Sequence, residues 1–228
     1  MSASNFNTIW EDTIYGTGNH LNKYPFDNVV TFIFRNFPRN KPRNEIRILE
    51  IGSGAGNNLW FAAREGFSVT GIDGSKSAID FAKKRFEEEG LKGDFLIGDF
   101  TNLPLDDSYF DIVIDRGSIV CVDLEAGKKA IQEAHRTLVK GGLFFFNPYS
   151  QAHTSFTSGQ LQENGQTSNI KHGTLVGVGN ISLYSHRDIL DALPTDKWNI
   201  QSIKHKEFKE INIHQTVHAE WEIIAQKI

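Results

Sequence analysis

The spacing of apolar and polar positions changes rhythm repeatedly along the 228 residues, and each change predicts an element. Residues 26–37 place apolar side chains at 29, 30, 33, 34 and 37, one face of a helix, with Asp27 or Asn28 available as its cap. Residues 38–44, with two prolines and three basic residues, read as a solvated linker. From residue 45 short apolar runs alternate with helical patterns. Strands are expected at 46–51, 67–73, 94–98, 110–115 and 143–146, and helices at 57–65, 75–89 and 124–139. Gly66, Gly90 and the pair Gly141-Gly142 stand where these helices should stop, and Ser75 where the second should start. Strands separated by helices predict a parallel sheet with right-handed crossovers.

The rhythm breaks after residue 148. Residues 149–173 are rich in Ser, Thr, Gln, Gly and Asn, too long for an ordinary connection, and read as a functional loop. A helix at 185–193 and strands at 199–208 and 217–227 follow, the last two close enough to pair antiparallel. The expected fold is therefore α/β, a Rossmann-like sandwich around a mostly parallel seven-stranded sheet whose last strand is antiparallel. One domain is expected, with an N-terminal helical lid (1–44), a core (45–150), an inserted loop at 149–180 and a closing helix and hairpin (181–228).

Composition narrows the function classes. A formal charge of −4 lacks the basic footprint that displaces counterions from nucleic acid. With Cys121 as the single cysteine, no internal disulfide and no cysteine zinc site can form, and a reducing, cytoplasmic setting fits best. No apolar run reaches the length of a membrane span, so no membrane partner is expected. His214 and His218 share a strand face with Glu220, but alternating polar residues at a sheet edge away from the ligand end read as a solvent face, and no metal is expected.

The chemistry starts where the first strand runs into G-S-G-A-G. Gly52, Gly54 and Gly56 remove Cβ atoms where the chain bends and where a ligand must approach the backbone. Acidic residues recur at sheet positions: Glu50 near the end of the first strand, Asp73 at the end of the second, Asp99 after the third and Asp115 at the end of the fourth. Open α/β sheets bind ligands at such carboxyl ends. Asp73 follows the glycine turn by the interval at which nucleotide-binding folds place an acid on ribose hydroxyls, while Asp99 and Phe100 offer an acceptor for an exocyclic amine and a ring for a base face. Together they describe an adenosine site. The spacing is G-x-G-x-G, with Asn57 where a dinucleotide fold has its third glycine, and Glu50 is an odd neighbour for a pyrophosphate.

The series L-E-I-G-S-G-A-G, G-I-D-G-S, G-D-F-T-N-L-P-L-D-D-S-Y-F-D-I-V-I-D and L-V-K-G-G-L-F-F-F resembles the successive motifs of the class I S-adenosylmethionine-dependent methyltransferases. The likeness covers residues 45–150, and A-E-W-E-I-I-A-Q-K is similar to that family's closing strand. It implies S-adenosylmethionine as cofactor, with S-adenosylhomocysteine as product. By the same resemblance Glu50, Gly52, Ser53, Gly54, Gly56 and Asn57 surround the methionine part, and Asp73, with Gly74 and Ser75 beside it, holds the ribose. Asp99 and Phe100 hold the adenine, and Asp115, Arg116 and Gly117 close the site below the methyl group.

Methyl transfer needs orientation first, and a base only where the acceptor carries a proton. His20, in the N-terminal lid, and His153, in the inserted loop, are the leading base candidates, with Asp115 as a third and His172 and His186 behind them. Tyr15, Tyr24 and Tyr149 are candidate lid or acceptor contacts, and Lys23 a candidate anion partner. The acceptor is expected to be a small molecule, such as a sugar or sugar nucleotide, and the chain a monomer or homodimer. The alternatives are a protein methyltransferase, an NAD-dependent oxidoreductase on a similar sheet, and a cofactor-binding module without activity.

Overall fold

A computed structural model describes residues 8–18, 21–213 and 215–228. After an N-terminal pair of helical turns, Trp10–Ile14 and Tyr15–Thr17, come α1 (Asp27–Asn36), β1 (Arg47–Ile51), α2 (Asn57–Arg64), β2 (Ser68–Asp73), α3 (Lys76–Glu88), β3 (Asp94–Ile97) and β4 (Phe110–Asp115). The chain continues through α4 (Leu124–Thr137), β5 (Leu138–Phe146), α5 (Thr154–Thr157), β6 (Gln160–Leu161), β7 (Gln166–Ser168), β8 (Ile181–Ser182), α6 (His186–Ala192), β9 (Trp198–Lys209) and β10 (Val217–Lys227). The main sheet has the order β3-β2-β1-β4-β5-β10-β9. Strands β1 to β5 pair parallel, and β10 runs antiparallel to both of its neighbours.

Side-chain alternation on β5 shows why helices cover both faces. Phe144 and Phe146 pack with Ala130, Ile131 and Ala134 of α4 and Ile189 of α6, whereas Phe145 packs on the opposite face with Phe32 of α1, Leu59 of α2 and Ala82 of α3. The α3 helix presents Ala78, Ile79, Ala82 and Phe86 inward, and Ser75 caps it by accepting from the Ala78 N–H at 3.1 Å. Asp123 caps α4 in the same way, through the Ala126 N–H.

Local details depart from the sequence expectation. Neither Asp27 nor Asn28 caps α1, and Asn28 is instead buried, donating to Asn147 Oδ1 at 2.9 Å. Gly141-Gly142 lies inside β5, which already begins at Leu138, so it does not end α4. The expected loop after residue 148 holds α5, β6 and β7, and these strands join β8, just past it, in a small antiparallel sheet ordered β6-β7-β8, with Thr167, Ile181 and Ser182 buried in it.

The direction of β10 decides what lies near the ligand end. Ile223 pairs with Phe146, the last residue of β5, so the first half of β10 runs past that strand's carboxyl end. There it bonds to the descending chain, Trp221 N–H to the Pro148 carbonyl at 2.8 Å and Ser150 N–H to the Ala219 carbonyl at 2.9 Å. His218 and Glu220 therefore stand at the ligand end of the sheet, not remote from it as their edge-like pattern suggested.

Candidate active site

The turn after β1 has three left-handed glycines in five residues, with φ of +65° at Gly52, +51° at Gly54 and +71° at Gly56. A Cβ on Gly52 would lie 2.2 Å from the Ser118 side chain, and one on Gly54 2.6 Å from the Tyr15 hydroxyl. Gly56 has a different task, because a Cβ there would press on Ala82 and Phe95; it lets α2 pack against α3 and β3 and does not face the cavity.

A cavity of about 310 Å³ opens above this turn at the carboxyl ends of the strands. Its floor is Glu50, Gly52, Ser53, Gly54, Asn57 and Asn58, one side is Asp73, Gly74 and Phe100, and Arg116, Gly117 and Tyr149 form the other. The N-terminal segment contributes Trp10, Tyr15 and Phe26, and the insertion contributes Thr174, Leu175 and Val178. Glu11 fastens the first of these roofs. Its carboxylate accepts from Ser75 Oγ, from Ser77 Oγ at 2.6 Å and from Ser77 N–H at 3.1 Å, at the start of α3.

Two carboxylates give the cavity its character. Asp73 is 7% exposed; Oδ2 accepts from Gly54 N–H and Oδ1 from Ser75 N–H, both at 2.8 Å. Burial raises its carboxyl above the ordinary value, and the two backbone bonds oppose that rise. Glu50 is 2% exposed; Asn58 Nδ2 donates to Oε1 at 2.6 Å, and Oε2 has no partner among the described residues. Burial pushes its carboxyl up to about 8, against the Asn58 bond, and the neighbouring Asp115 and Asp73 add to the rise. A buried acid with one unpaired oxygen, facing a cavity, is suited to a ligand that brings a positive charge and N–H donors.

Several sequence candidates fall outside the cavity. Asp115 is fully buried beneath it, with Oδ1 accepting from the Ser118 and Ile119 N–H groups, and holds the following turn. Asp99 accepts from Thr101 N–H and Thr101 Oγ1, leaving Phe100 as the contact on that side. Ser75 is consumed as the α3 cap and by Glu11. Tyr24 is 73% exposed, and it shares with Lys23 a groove on the outer surface beside Trp60 and Arg85. His20 lies outside the described residues. His153 is buried, not in an open loop: its Nδ1 accepts from Ser155 N–H, and it stands behind Thr174. No group of acidic, histidine and cysteine side chains among the described residues forms a metal site, and no helix is long and apolar enough to cross a membrane.

Sequence reasoning missed Asn58, Trp10, Thr174, Leu175 and Val178 as cavity walls and gave no site role to His218 or Glu220. Asn58 carried a readable signal, since two polar amides opening an otherwise apolar helix face just after a ligand-binding turn are out of place. The others reach the cavity only through tertiary folding.

Residues 48–142 match the family described as methyltransferase domain. Over those residues the chain carries a methyltransferase domain. It is 37% identical over 105 residues to EEF1A lysine methyltransferase 2 of Danio rerio, covering 43% of this chain and 45% of that protein. It is 31% identical over 153 residues to the phthiotriol/phenolphthiotriol dimycocerosates methyltransferase of Mycobacterium tuberculosis, covering 64% of this chain and 54% of that one. The chain thus spans about half the length of these curated relatives. The solved structure of a SAM-dependent methyltransferase from Methanosarcina mazei superposes with a TM-score of 0.69 at 23% identity, over 85% of this chain and 98% of that one. The two roofs of the cavity, the N-terminal segment and the segment that follows β5, both lie outside residues 48–142.

Proposed function

We propose that this chain transfers the methyl group of S-adenosylmethionine to a small-molecule acceptor held in the part of the cavity bounded by Phe26, Tyr149, Thr174, Leu175 and Val178. The observation that carries the reading is the buried Glu50 Oε2 at the glycine turn, unpaired among the described residues, which suits the ammonium of an amino-acid ligand end. The free lone pairs of Asp73 are placed to take ribose hydroxyls, and Phe100 to pack on the adenine. When bound, the cofactor supplies an already activated methyl group, so the protein's share of the chemistry is alignment, exclusion of water and removal of a proton.

The two roofs favour a small acceptor. Trp10 and Tyr15 come from one segment and Leu175 and Val178 from another, and together they enclose a cavity whose volume leaves little room for a folded polypeptide beside the cofactor. The match to the lysine methyltransferase covers 105 residues, whereas that to the dimycocerosates methyltransferase covers 153. Incubating the chain with methyl-labelled S-adenosylmethionine and, separately, a deproteinised metabolite pool or a protein extract tests the reading. Label is expected in the metabolite arm. Label confined to protein would replace it with protein methylation, and absence of calorimetric binding of S-adenosylmethionine would remove it altogether.

A further inference from the structure

Behind the acceptor end of the cavity lies a cluster of side chains from three separate parts of the chain. Thr174 Oγ1 is 3.0 Å from His153 Nε2 and 3.2 Å from His218 Nδ1, and the two imidazole nitrogens are 3.3 Å apart. His218 Nε2 faces Glu220 Oε2 at 3.6 Å, and the same carboxylate oxygen lies 3.6 Å from an Arg116 amino group. Of these, Thr174 and Arg116 line the cavity.

The bonding pattern assigns a direction to the protons. Ser155 N–H donates to His153 Nδ1 at 2.9 Å, which makes that nitrogen an acceptor and leaves the ring proton on Nε2. His153 is then a donor toward Thr174 and cannot take a proton there without charging, and burial together with neighbouring His218 pushes its ionisation down to about 4. The shorter of the two contacts of His153 Nε2, 3.0 Å to Thr174 Oγ1 against 3.3 Å to His218 Nδ1, takes its proton, so the hydroxyl proton of Thr174 turns to His218 Nδ1, and the His218 proton sits on Nε2 facing Glu220. Burial alone would raise the Glu220 carboxyl, but the His218 contact and the Arg116 charge outweigh it and hold Glu220 below the ordinary value. Each donor therefore points toward the carboxylate. The second lone pair of Thr174 Oγ1 remains for an O–H in the cavity.

We propose that Thr174, His218 and Glu220 form a proton relay that deprotonates a hydroxyl acceptor. This rests on the methyltransferase reading and names its substrate class. In the step, the acceptor oxygen bonds to the methyl carbon while the carbon–sulfur bond breaks and leaves its electron pair on sulfur. The acceptor proton passes to Thr174 Oγ1 as the Thr174 proton passes to His218 Nδ1, and the resulting imidazolium faces Glu220. A neutral hydroxyl fits better than an ammonium, because the carboxylates lining the cavity among the described residues, Glu50 and Asp73, stand at the cofactor turn and not beside Leu175 and Val178. The groups facing His218 are His153 and Tyr149 by ring contact, Glu220 on its own strand with Arg116 beyond, and Phe208 opposite on β9, where Lys206 stands opposite Glu220.

The test uses the full chain with methyl-labelled S-adenosylmethionine and a deproteinised metabolite pool as the acceptor source, with ¹⁵N NMR of the histidine rings of the cofactor-free protein alongside. His218→Gln and Thr174→Val are expected to bind S-adenosylmethionine within about twofold of the unmodified chain, yet to slow transfer about a hundredfold or more. The variants should regain rate as pH rises and the acceptor ionises, and Thr174→Ser should retain most of the rate. NMR should place the ring protons of His153 and His218 on Nε2. A His218 proton on Nδ1, or a His218→Gln variant with unchanged rate and pH profile, overturns the relay while leaving the methyltransferase reading intact. Failure of the unmodified chain to bind S-adenosylmethionine or to label the pool overturns both.

Discussion

Glu50 makes a quantitative test of the cofactor site possible because its free-state ionisation and its proposed partner pull in opposite directions. With its carboxyl pushed to about 8 by burial, roughly nine in ten molecules carry the proton at pH 7 in the absence of ligand. Pairing with an ammonium requires the carboxylate, so binding must expel that proton. Release of about 0.9 proton at pH 7 follows, together with an association constant that rises close to tenfold between pH 6 and pH 7. A charge-assisted hydrogen bond of about 3 kcal/mol corresponds to roughly 150-fold in affinity, and ionising Glu50 consumes about a hundredfold of this at pH 6 but only about fourfold at pH 7.5. Glu50→Gln should therefore weaken binding by about twofold at pH 6 and about thirtyfold at pH 7.5, with no proton release. Titration calorimetry of S-adenosylmethionine in two buffers of different ionisation enthalpy measures both quantities. Binding that is independent of pH, with no buffer-dependent heat, would refute the placement of the ammonium on Glu50. The ligand-free stability carries the opposite sign. Because the folded state holds a proton that the unfolded state releases near pH 4.5, the penalty of Glu50 is absent below that pH and grows until pH passes about 8. Ligand-free Glu50→Gln should be the more stable chain at pH 7, by about 3 kcal/mol, and lose this advantage toward pH 4.

Asp73→Ala removes the acceptor of the Gly54 and Ser75 N–H bonds as well as the proposed ribose contact, so S-adenosylmethionine binding should fall by at least a hundredfold; Asp73→Asn, which keeps one carbonyl acceptor, should fall less, and equal affinities would argue against ribose recognition there. Glu11→Ala cuts the three bonds that fasten the N-terminal segment to α3, and cofactor dissociation measured by stopped flow should quicken about fivefold, for roughly 1 kcal/mol, with little change in Tm. The serine bonds hold the Glu11 carboxyl below its ordinary value, so this fastening is complete above the unfolded value and is lost as pH falls through the lowered one; dissociation rates should rise only in that acid range. Gly52→Ala forces a left-handed alanine whose Cβ overlaps Ser118, and thermal unfolding should show a loss of about 2 kcal/mol or more, lowering Tm by about 4–8 °C.

The order of strands and helices through β5, the glycine turn and the acids at strand ends were legible because they are local. An apolar run of five or six residues between helical patterns can be buried on both faces only as an inner strand, and a turn that needs three left-handed residues declares itself in glycine. The core strands β1, β4 and β5 and the cavity walls Glu50, Asp73 and Phe100 follow from such signals. The segment after β5 misled for a related reason: Thr167 and Ser182 are polar, and they are buried through the pairing of β6, β7 and β8 and, for Ser182, by its hydroxyl donating to the Val122 carbonyl at 2.7 Å.

The sequence by itself determined that a strand, a glycine turn and a helix would build a pocket floor with Glu50 in it, since every part of that unit lies within one continuous stretch from Arg47 to Arg64. Tertiary structure decided which side chains of the expected lid and loop close over the floor, and what they meet there. Thr174 comes from the insertion and His218 from a strand whose place depends on pairing with β5 and β9, so their meeting 3.2 Å apart depends on contacts between residues 44 positions apart. Glu11 reaches the start of α3 across 66 positions for the same reason. Side-chain periodicity records which face of an element is buried, but not which other element will cover it. The pocket floor could thus be read along the chain, while the roof, the fastening and the proposed proton relay exist only once the sheet has assembled.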